Sequence, residues 1–411
     1  MKKAIILAAA VLSLGLAACS DENEQKEQIQ LTPPVKLQLT VAETASAKDA
    51  NNLGLRTFAE IYTTENPLPA FSPLSAQMAM ALTANGATDE TLDEMLGALC
   101  GGGSLDALNS LYGKLYETLP VTDAATTLTM ANSVWHSDYV ALLPEFTELA
   151  AETYGAPTSG FAKEKKSEAA ATVNGWISNA TNGLVRDMVD AEDFEAEVLL
   201  VNALYFKSMW AQKFNKKNTR KERFTNIDGS ASDVDMMHAT VDNVYYTTSG
   251  KASMVALTFG NGAYCMNIAL PAEGVSPAEA MLQLDEHHAG WSCGRVEVKM
   301  PRFSAETRID LKDAYTALGM RSAFSQNARF DGLSDTPLFI SKVKHMSRFD
   351  VDETGAEGAA STVVEMGYTG TGQTAGTPET VFSITLNRPF AYTVSETSTG
   401  IIVFMGAVNK L

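Results

Sequence analysis

Apolar residues recur along this chain with two periods, and the switches between them mark its elements. Between positions 51 and 62, Leu53, Leu55, Phe58, Ile61 and Tyr62 fall at helical spacing. Ser72 and Pro73 then supply an N-cap and a first helical residue. The helix they start is apolar nearly all round over 74–84, which predicts burial on every side. Thr88 and Ser104 are further N-caps, for helices running to Leu99 and Thr118, and Pro120 stops the second. Residues 126–135 alternate and predict a strand, and 143–154 return to the helical period. Residues 198–210 are mostly apolar, as in a central strand covered on both faces. Gly260-Asn261-Gly262 turns between strands at 255–259 and 264–270. A short helix at 277–288, a strand at 296–303, a helix at 311–318 ended by Gly319 and a strand at 338–350 complete the middle of the chain. The tail from Phe382 reads as strands again. This is an α+β pattern in one domain, with no internal repeat.

The strand at 338–350 runs straight into Glu353-Thr354-Gly355-Ala356-Glu357-Gly358-Ala359-Ala360-Ser361-Thr362-Val363-Val364. Alternate residues Ala356, Gly358, Ala360 and Thr362 are all small. In a strand they share one face, and Glu357, Ala359, Ser361 and Val363 share the other. One face can therefore enter a packed core without a clash while the other meets water. Beyond it, Gly367 to Pro378 is rich in Gly and Thr and nearly free of core-forming residues, so it predicts an exposed loop.

This run resembles the reactive-centre loop and hinge of the serpins, and the rest of the chain carries the same resemblance over about 48–411. Phe71-Ser72-Pro73-Leu74-Ser75, with Asn85-Gly86-Ala87-Thr88 after it, looks like the serpin helix-B signature. Ala131-Asn132-Ser133-Val134-Trp135 is similar to the strand after helix D. Asn174-Gly175-Trp176-Ile177, with Asn182-Gly183-Leu184-Val185, is similar to helix F. Val201-Asn202-Ala203-Leu204-Tyr205-Phe206-Lys207-Ser208-Met209-Trp210 is nearly a direct match to the central-strand motif. Leu386-Asn387-Arg388-Pro389-Phe390 and Gly400-Ile401-Ile402-Val403-Phe404-Met405-Gly406 look like the C-terminal strands.

The resemblance implies one serpin domain at 45–411, with three β-sheets, about nine helices and a reactive-centre loop at about 353–386. It implies inhibition of serine-type endopeptidases by a suicide-substrate trap, in which the cleaved loop inserts into the central sheet. The hinge is Glu353, Thr354, Gly355, Ala356, Glu357, Gly358, Ala359 and Ala360. Glu353 is expected to pair with Arg302 at the breach, beside Trp210. Ser72, Ser75, Asn202 and His345 match the shutter under the sheet; for His345 read alone, satisfied core polarity is the plainer role. Family spacing from Glu353 puts the cut between Thr369 and Gly370, with Tyr368 and Met366 as runners-up. The stretch from Thr369 to Pro389 is about nine residues longer than the family pattern. That length also suits an alternative, a non-inhibitory serpin-fold binding protein.

Composition narrows the partners. The 411 residues are 45% hydrophobic and 19% charged, enough for a sizeable core, and the net charge of -18 argues against nucleic-acid binding. Between Arg348 and Arg388 there is no Lys or Arg. A trypsin-like pocket with its buried carboxylate finds no partner there. The expected targets are elastase-like, subtilisin-like or papain-like proteases, met by a monomer. No His-Glu-x-x-His, nucleophile elbow or phosphate loop appears, so no enzyme, metal or cofactor is expected.

The N-terminus adds an address. Met1-Lys2-Lys3 and the apolar run 4–18 form a secretory signal peptide at 1–18. Its end, Leu16-Ala17-Ala18-Cys19, resembles the bacterial lipobox, which implies acylation of Cys19 and a flexible, lipid-anchored tether at 19–44; ordinary cleavage beside an incidental cysteine is the alternative. A lipoprotein of the outer membrane or cell surface is expected, facing outward or into the periplasm. Cys100, Cys265 and Cys293 remain, an odd number that speaks against a disulfide framework.

Overall fold

The computed structural model describes residues 32–183, 185–284, 286–356 and 381–411. Its helices are α1 (Val41–Ile61), α2 (Pro73–Ala84), α3 (Asp89–Cys100), α4 (Leu105–Thr118), α5 (Pro144–Tyr154), α6 (Lys166–Ala180), α7 (Pro277–Met281) and α8 (Lys312–Ala317). Its strands are β1 (Ala70–Phe71), β2 (Thr126–Ser137), β3 (Thr158–Phe161), β4 (Val198–Met209), β5 (Arg220–Thr225), β6 (Ala231–Thr248), β7 (Ala252–Phe259) and β8 (Tyr264–Pro271). They continue with β9 (Ser292–Pro301), β10 (Phe303–Asp310), β11 (Lys344–Val351), β12 (Gly355–Ala356), β13 (Phe382–Thr385), β14 (Phe390–Glu396) and β15 (Ile402–Val408).

The strands form two hydrogen-bonded sheets among the described residues, where three were expected. One has the order β10-β11-β12-β4-β2-β3; the other runs β1-β15-β14-β8-β7-β6-β9-β13, with β5 paired to β6. The physical reason is β6. It is 18 residues long, bends at a register shift between Val241 and Val244, and holds β9 on one stretch and β7 on another. One strand thus joins what would otherwise be two layers. Among the described residues, eight α-helices stand where about nine were expected.

Local chemistry explains the other differences. The helix expected from 51 begins at Val41, inside the stretch taken as tether, because Thr40 and Glu43 close a capping box. The strand expected from 338 begins only at Lys344. Before it, the Ile340 amide is held by Ala323 O, and the Val343 amide by Asp310 Oδ1. The helix expected to reach 288 stops at Met281, and Glu286 and His288 turn inward to the buried amide of Asn267. Cys100, Cys265 and Cys293 are free thiols, the first two buried and the third exposed.

The six-stranded sheet has apolar cover on both faces, as the mostly apolar run of β4 requires. Its even residues Leu204 and Phe206 join the main core. Leu199, Val201 and Ala203 join a second cluster with Val173 and Ile177 of α6. Beneath the first face, α2 packs against both β4 and β15. It is buried at every position but Ala79, as its all-round apolar pattern predicts. Each of Leu74, Met78, Met80 and Leu82 contributes about 2 kcal/mol by its burial.

Candidate functional site

The site is the top of the six-stranded sheet, where the chain leaves β11 and turns back. Asp352 makes the turn: its Oδ1 accepts the Thr354 amide (2.7 Å), the Thr354 hydroxyl (2.5 Å) and the Gly355 amide (3.2 Å). The Asp352 amide donates to Gly355 O at 2.9 Å. The turn delivers β12 between β11 and β4, with Ala356 opposite Val351 on one side and Ser208 on the other. Ala356 is only 1% exposed. Its place requires a bare Gly355, because a Cβ there would lie 2.0 Å from Ser208 O and 2.6 Å from Met209 Cα. No ladder joins β11 directly to β4 among the described residues; β12 is their link.

Trp210 and Glu353 lock this corner. The Trp210 indole Nε1 donates to Asp352 O and its amide to Thr354 O, both at 2.9 Å. The indole stacks on Phe259 with centroids 4.3 Å apart. Glu353 is buried, and its Oε1 accepts from Arg302 Nη2 and from Thr219 Oγ1, each at 2.6 Å. Burial pushes the carboxyl upward in pKa, but those two donors outweigh it and hold the group below the usual carboxylate range. The expected pairing of Glu353 with Arg302 is present. Thr219, Asp352 and Phe259 were not foreseen. Asp352-Glu353-Thr354-Gly355 is nonetheless a recognisable Asx-turn sequence.

Under the sheet, the expected shutter residues meet. Ser72 caps α2 by accepting the Ser75 amide at 3.3 Å, and its hydroxyl donates to Val403 O at 2.8 Å. The Ser75 hydroxyl donates to Asn202 Oδ1, and Asn202 Nδ2 to Asn132 Oδ1. Asn132 Nδ2 donates to Tyr154 O at 2.6 Å. Asn132 was missed as a site residue, although it sits opposite Asn202 in the β2–β4 register. His345 Nε2 accepts the Ser72 amide at 3.1 Å, and burial pushes the ring pKa down to about 4. Glu357, Gly358, Ala359, Ala360, Met366, Tyr368, Thr369, Gly370 and Cys19, with the signal peptide 1–18, lie outside the described residues.

A short strand wedged into the head of a large sheet, beside an ion pair whose carboxylate is buried and whose guanidinium is exposed, defines a strand-accepting protein. Comparison with known proteins gives that class its family. The family model for serpins, the serine protease inhibitors, matches residues 48–411, and the chain belongs to the serpin family. Among curated relatives, it is 29% identical to Serpin-Z1C of Triticum aestivum over 364 residues, covering 83% of this chain and 89% of that protein. It is 28% identical to Iripin-8 of Ixodes ricinus over 385 residues, covering 89% and 93%. Among solved structures, the thermophilic serpin Tengpin in its native state superposes with a TM-score of 0.79 at 27% identity, over 93% of this chain and 98% of that one. Tengpin in its latent state gives 0.76 at 25% identity, over 92% and 100%. Serpins as a family are protease inhibitors rather than enzymes.

Proposed function

We propose that this chain traps proteases of the elastase-like, subtilisin-like or papain-like kind by inserting its cut loop as a new strand between β4 and β11. The observation that carries the proposal is β12 itself, seated between two strands that share no direct ladder among the described residues. Its register can be extended. Ala356 lies opposite Ser208, and each residue forward is one residue back along β4, so ten further residues bring Met366 opposite Val198, where β4 begins. On that register Gly358 meets Phe206, Ala360 meets Leu204 and Thr362 meets Asn202, all three on the main-core side with α2. Small residues at 358, 360 and 362 are what that packed face admits.

Ten residues inserted with both edges paired gain on the order of 10 kcal/mol at about 1 kcal/mol net per backbone hydrogen bond. That gain is the driving force for dragging an acylated protease along the sheet. A cut after Thr369 leaves three residues beyond Met366 to hold the protease hard against the sheet's far end, which supports Thr369 over Met366 as the residue before the cut. The apolar export sequence and Leu16-Ala17-Ala18-Cys19 support a bacterial lipoprotein on a cell surface, guarding it against foreign proteases.

The test is one gel. The mature protein is mixed with pancreatic elastase and, separately, with trypsin. An SDS-stable complex with elastase and none with trypsin is the expected result. Cleaved protein alone in the elastase lane, or a complex formed only with trypsin, would contradict the proposal.

A further inference from the structure

Charge is unevenly spread on this chain. The net charge is -18, yet residues 213–224 hold six of its 31 Lys and Arg and one of its 49 Asp and Glu. Part of that surplus is balanced where it stands. Lys221 pairs with Asp235 at 3.0 Å, and Glu222 meets His238 at 2.6 Å and Lys299 at 3.6 Å. Arg223 stands opposite Asp233 in the β5–β6 register. Lys216, Lys217 and Arg220 differ: all three are exposed, and none is in an ion pair among the described residues.

The fold holds these three cations together beside the loop. The Phe214 amide donates to Glu353 O at 3.1 Å, and the Thr219 hydroxyl donates to Glu353 Oε1 at 2.6 Å. Both ends of the turn are thus fastened to the root of the loop. Between them, Asn215 Oδ1 accepts the Lys217 amide at 3.0 Å, and Asn215 O accepts the Asn218 amide at 2.8 Å. These bonds close a single turn over Lys216–Asn218. Lys213, just ahead of it, adds an ammonium that is buried with no hydrogen-bond partner among the described residues.

Like charges gathered this way repel one another and do not stabilise the fold. Carboxylates brought from outside relieve that repulsion. Whatever seats itself on the chain just after Ala356 comes up against this turn. A carboxylate-rich rim is repelled by the acidic remainder of the surface and attracted here, which orients the encounter as well as speeding it.

We propose that the turn 214–220 is a docking face for target proteases that carry carboxylates beside their cleft, with Lys216, Lys217 and Arg220 as the contacts that select them. The kind of partner rests on the trapping reading. The attraction itself is read from how fast the loop is cut, whether the cut chain then ends in a complex or as free product.

The probe is one protease at two charges. Subtilisin is used as it is and after succinylation of its surface lysines, which turns ammonium groups into carboxylates and leaves its Ser-His-Asp site unaltered. Active sites are counted by titration, and loss of intact chain on gels gives the second-order rate of loop cutting. Lys217→Glu/Arg220→Glu should slow cutting by the succinylated enzyme about tenfold at about 25 mM NaCl, and cutting by the native enzyme less than twofold. At about 500 mM NaCl, where screening acts within a few Å, the tenfold effect should fall below twofold. Lys48→Glu/Arg56→Glu on α1, with both residues exposed, makes the same change in net charge away from the turn and is the control. If the variant at the turn slows the succinylated enzyme no more than this control does, or if the effect survives at high salt, the docking face is overturned. The ratio of complex to cleaved product in the same lanes judges the trapping reading separately.

Discussion

Replacing Gly355 by alanine is the smallest change that tests the seat of β12. The new Cβ would stand 2.0 Å from Ser208 O and 2.6 Å from Met209 Cα. Both are backbone atoms of β4, held in place by the ladder to β2, so no side-chain rotation relieves the clash. β12 must leave its slot. That breaks the Asp352 N–H bond to Gly355 O and the Trp210 N–H bond to Thr354 O, and re-exposes Ala356. Two bonds at about 1 kcal/mol each and one methyl group at about 1 kcal/mol sum to about 3 kcal/mol. Unfolding entropy near 2 cal/mol/K per residue over the folded domain turns this into a fall of about 4 °C in melting temperature. The same clash meets an inserting strand, so the variant should also be cut by elastase with less stable complex per molecule consumed. Gly97→Ala on α3 is the control. Its Cβ meets nothing within 4 Å, and the helix should be unchanged or gain up to about 1 kcal/mol. Scanning calorimetry and the stoichiometry of elastase inhibition read both effects. If Gly355→Ala melted and inhibited like the control, β12 would not occupy this slot.

Two further predictions follow from single residues. His345 has a folded pKa of about 4 against an ordinary 6.5, so its contribution to stability is complete above pH 6.5 and is lost as pH falls towards 4. At pH 5 the loss is about 2 kcal/mol, read as a lower urea midpoint, and His345→Gln should flatten that part of the profile; an unchanged profile in the variant would refute the assignment. Glu353, whose pKa is also depressed, adds a loss of the same sign only below its ordinary value of 4.5. Cys19→Ser should abolish incorporation of labelled palmitate during expression in a diderm bacterium, and continued labelling would remove the proposed anchor.

Much of the site was legible because it depends on residue types with few alternatives. Ser72-Pro73 announced a capped helix, and α2 starts there with the hydroxyl cap in place. Small residues at alternate positions after Gly355 announced a strand able to enter a core, and Ala356 is the first of them to do so. The Arg302–Glu353 pair came from family spacing, since fifty-one residues separate its partners and no local pattern links them. What stayed hidden is of two kinds. Thr40 and Glu43 have capping-box spacing, but a polar stretch of Gln and Thr residues around them reads as tether. Asn132, Thr219 and Phe259 act through register and packing, which exist only after β2, β4 and β7 have paired. The merging of sheets through β6 belongs to the same kind, because strand length beyond a bend is set by its neighbours.

On the proposed mechanism, β4 and β11 accept the residues after Ala356 as a new strand once the loop is cut. The direct measurement is the melting temperature before and after a single cut between residues 357 and 380, made with limiting subtilisin and confirmed by mass. Insertion gains on the order of 10 kcal/mol. With an unfolding entropy near 2 cal/mol/K per residue, that corresponds to a rise of about 10 °C or more. A nicked protein that melts at or below the temperature of the intact one would contradict the account.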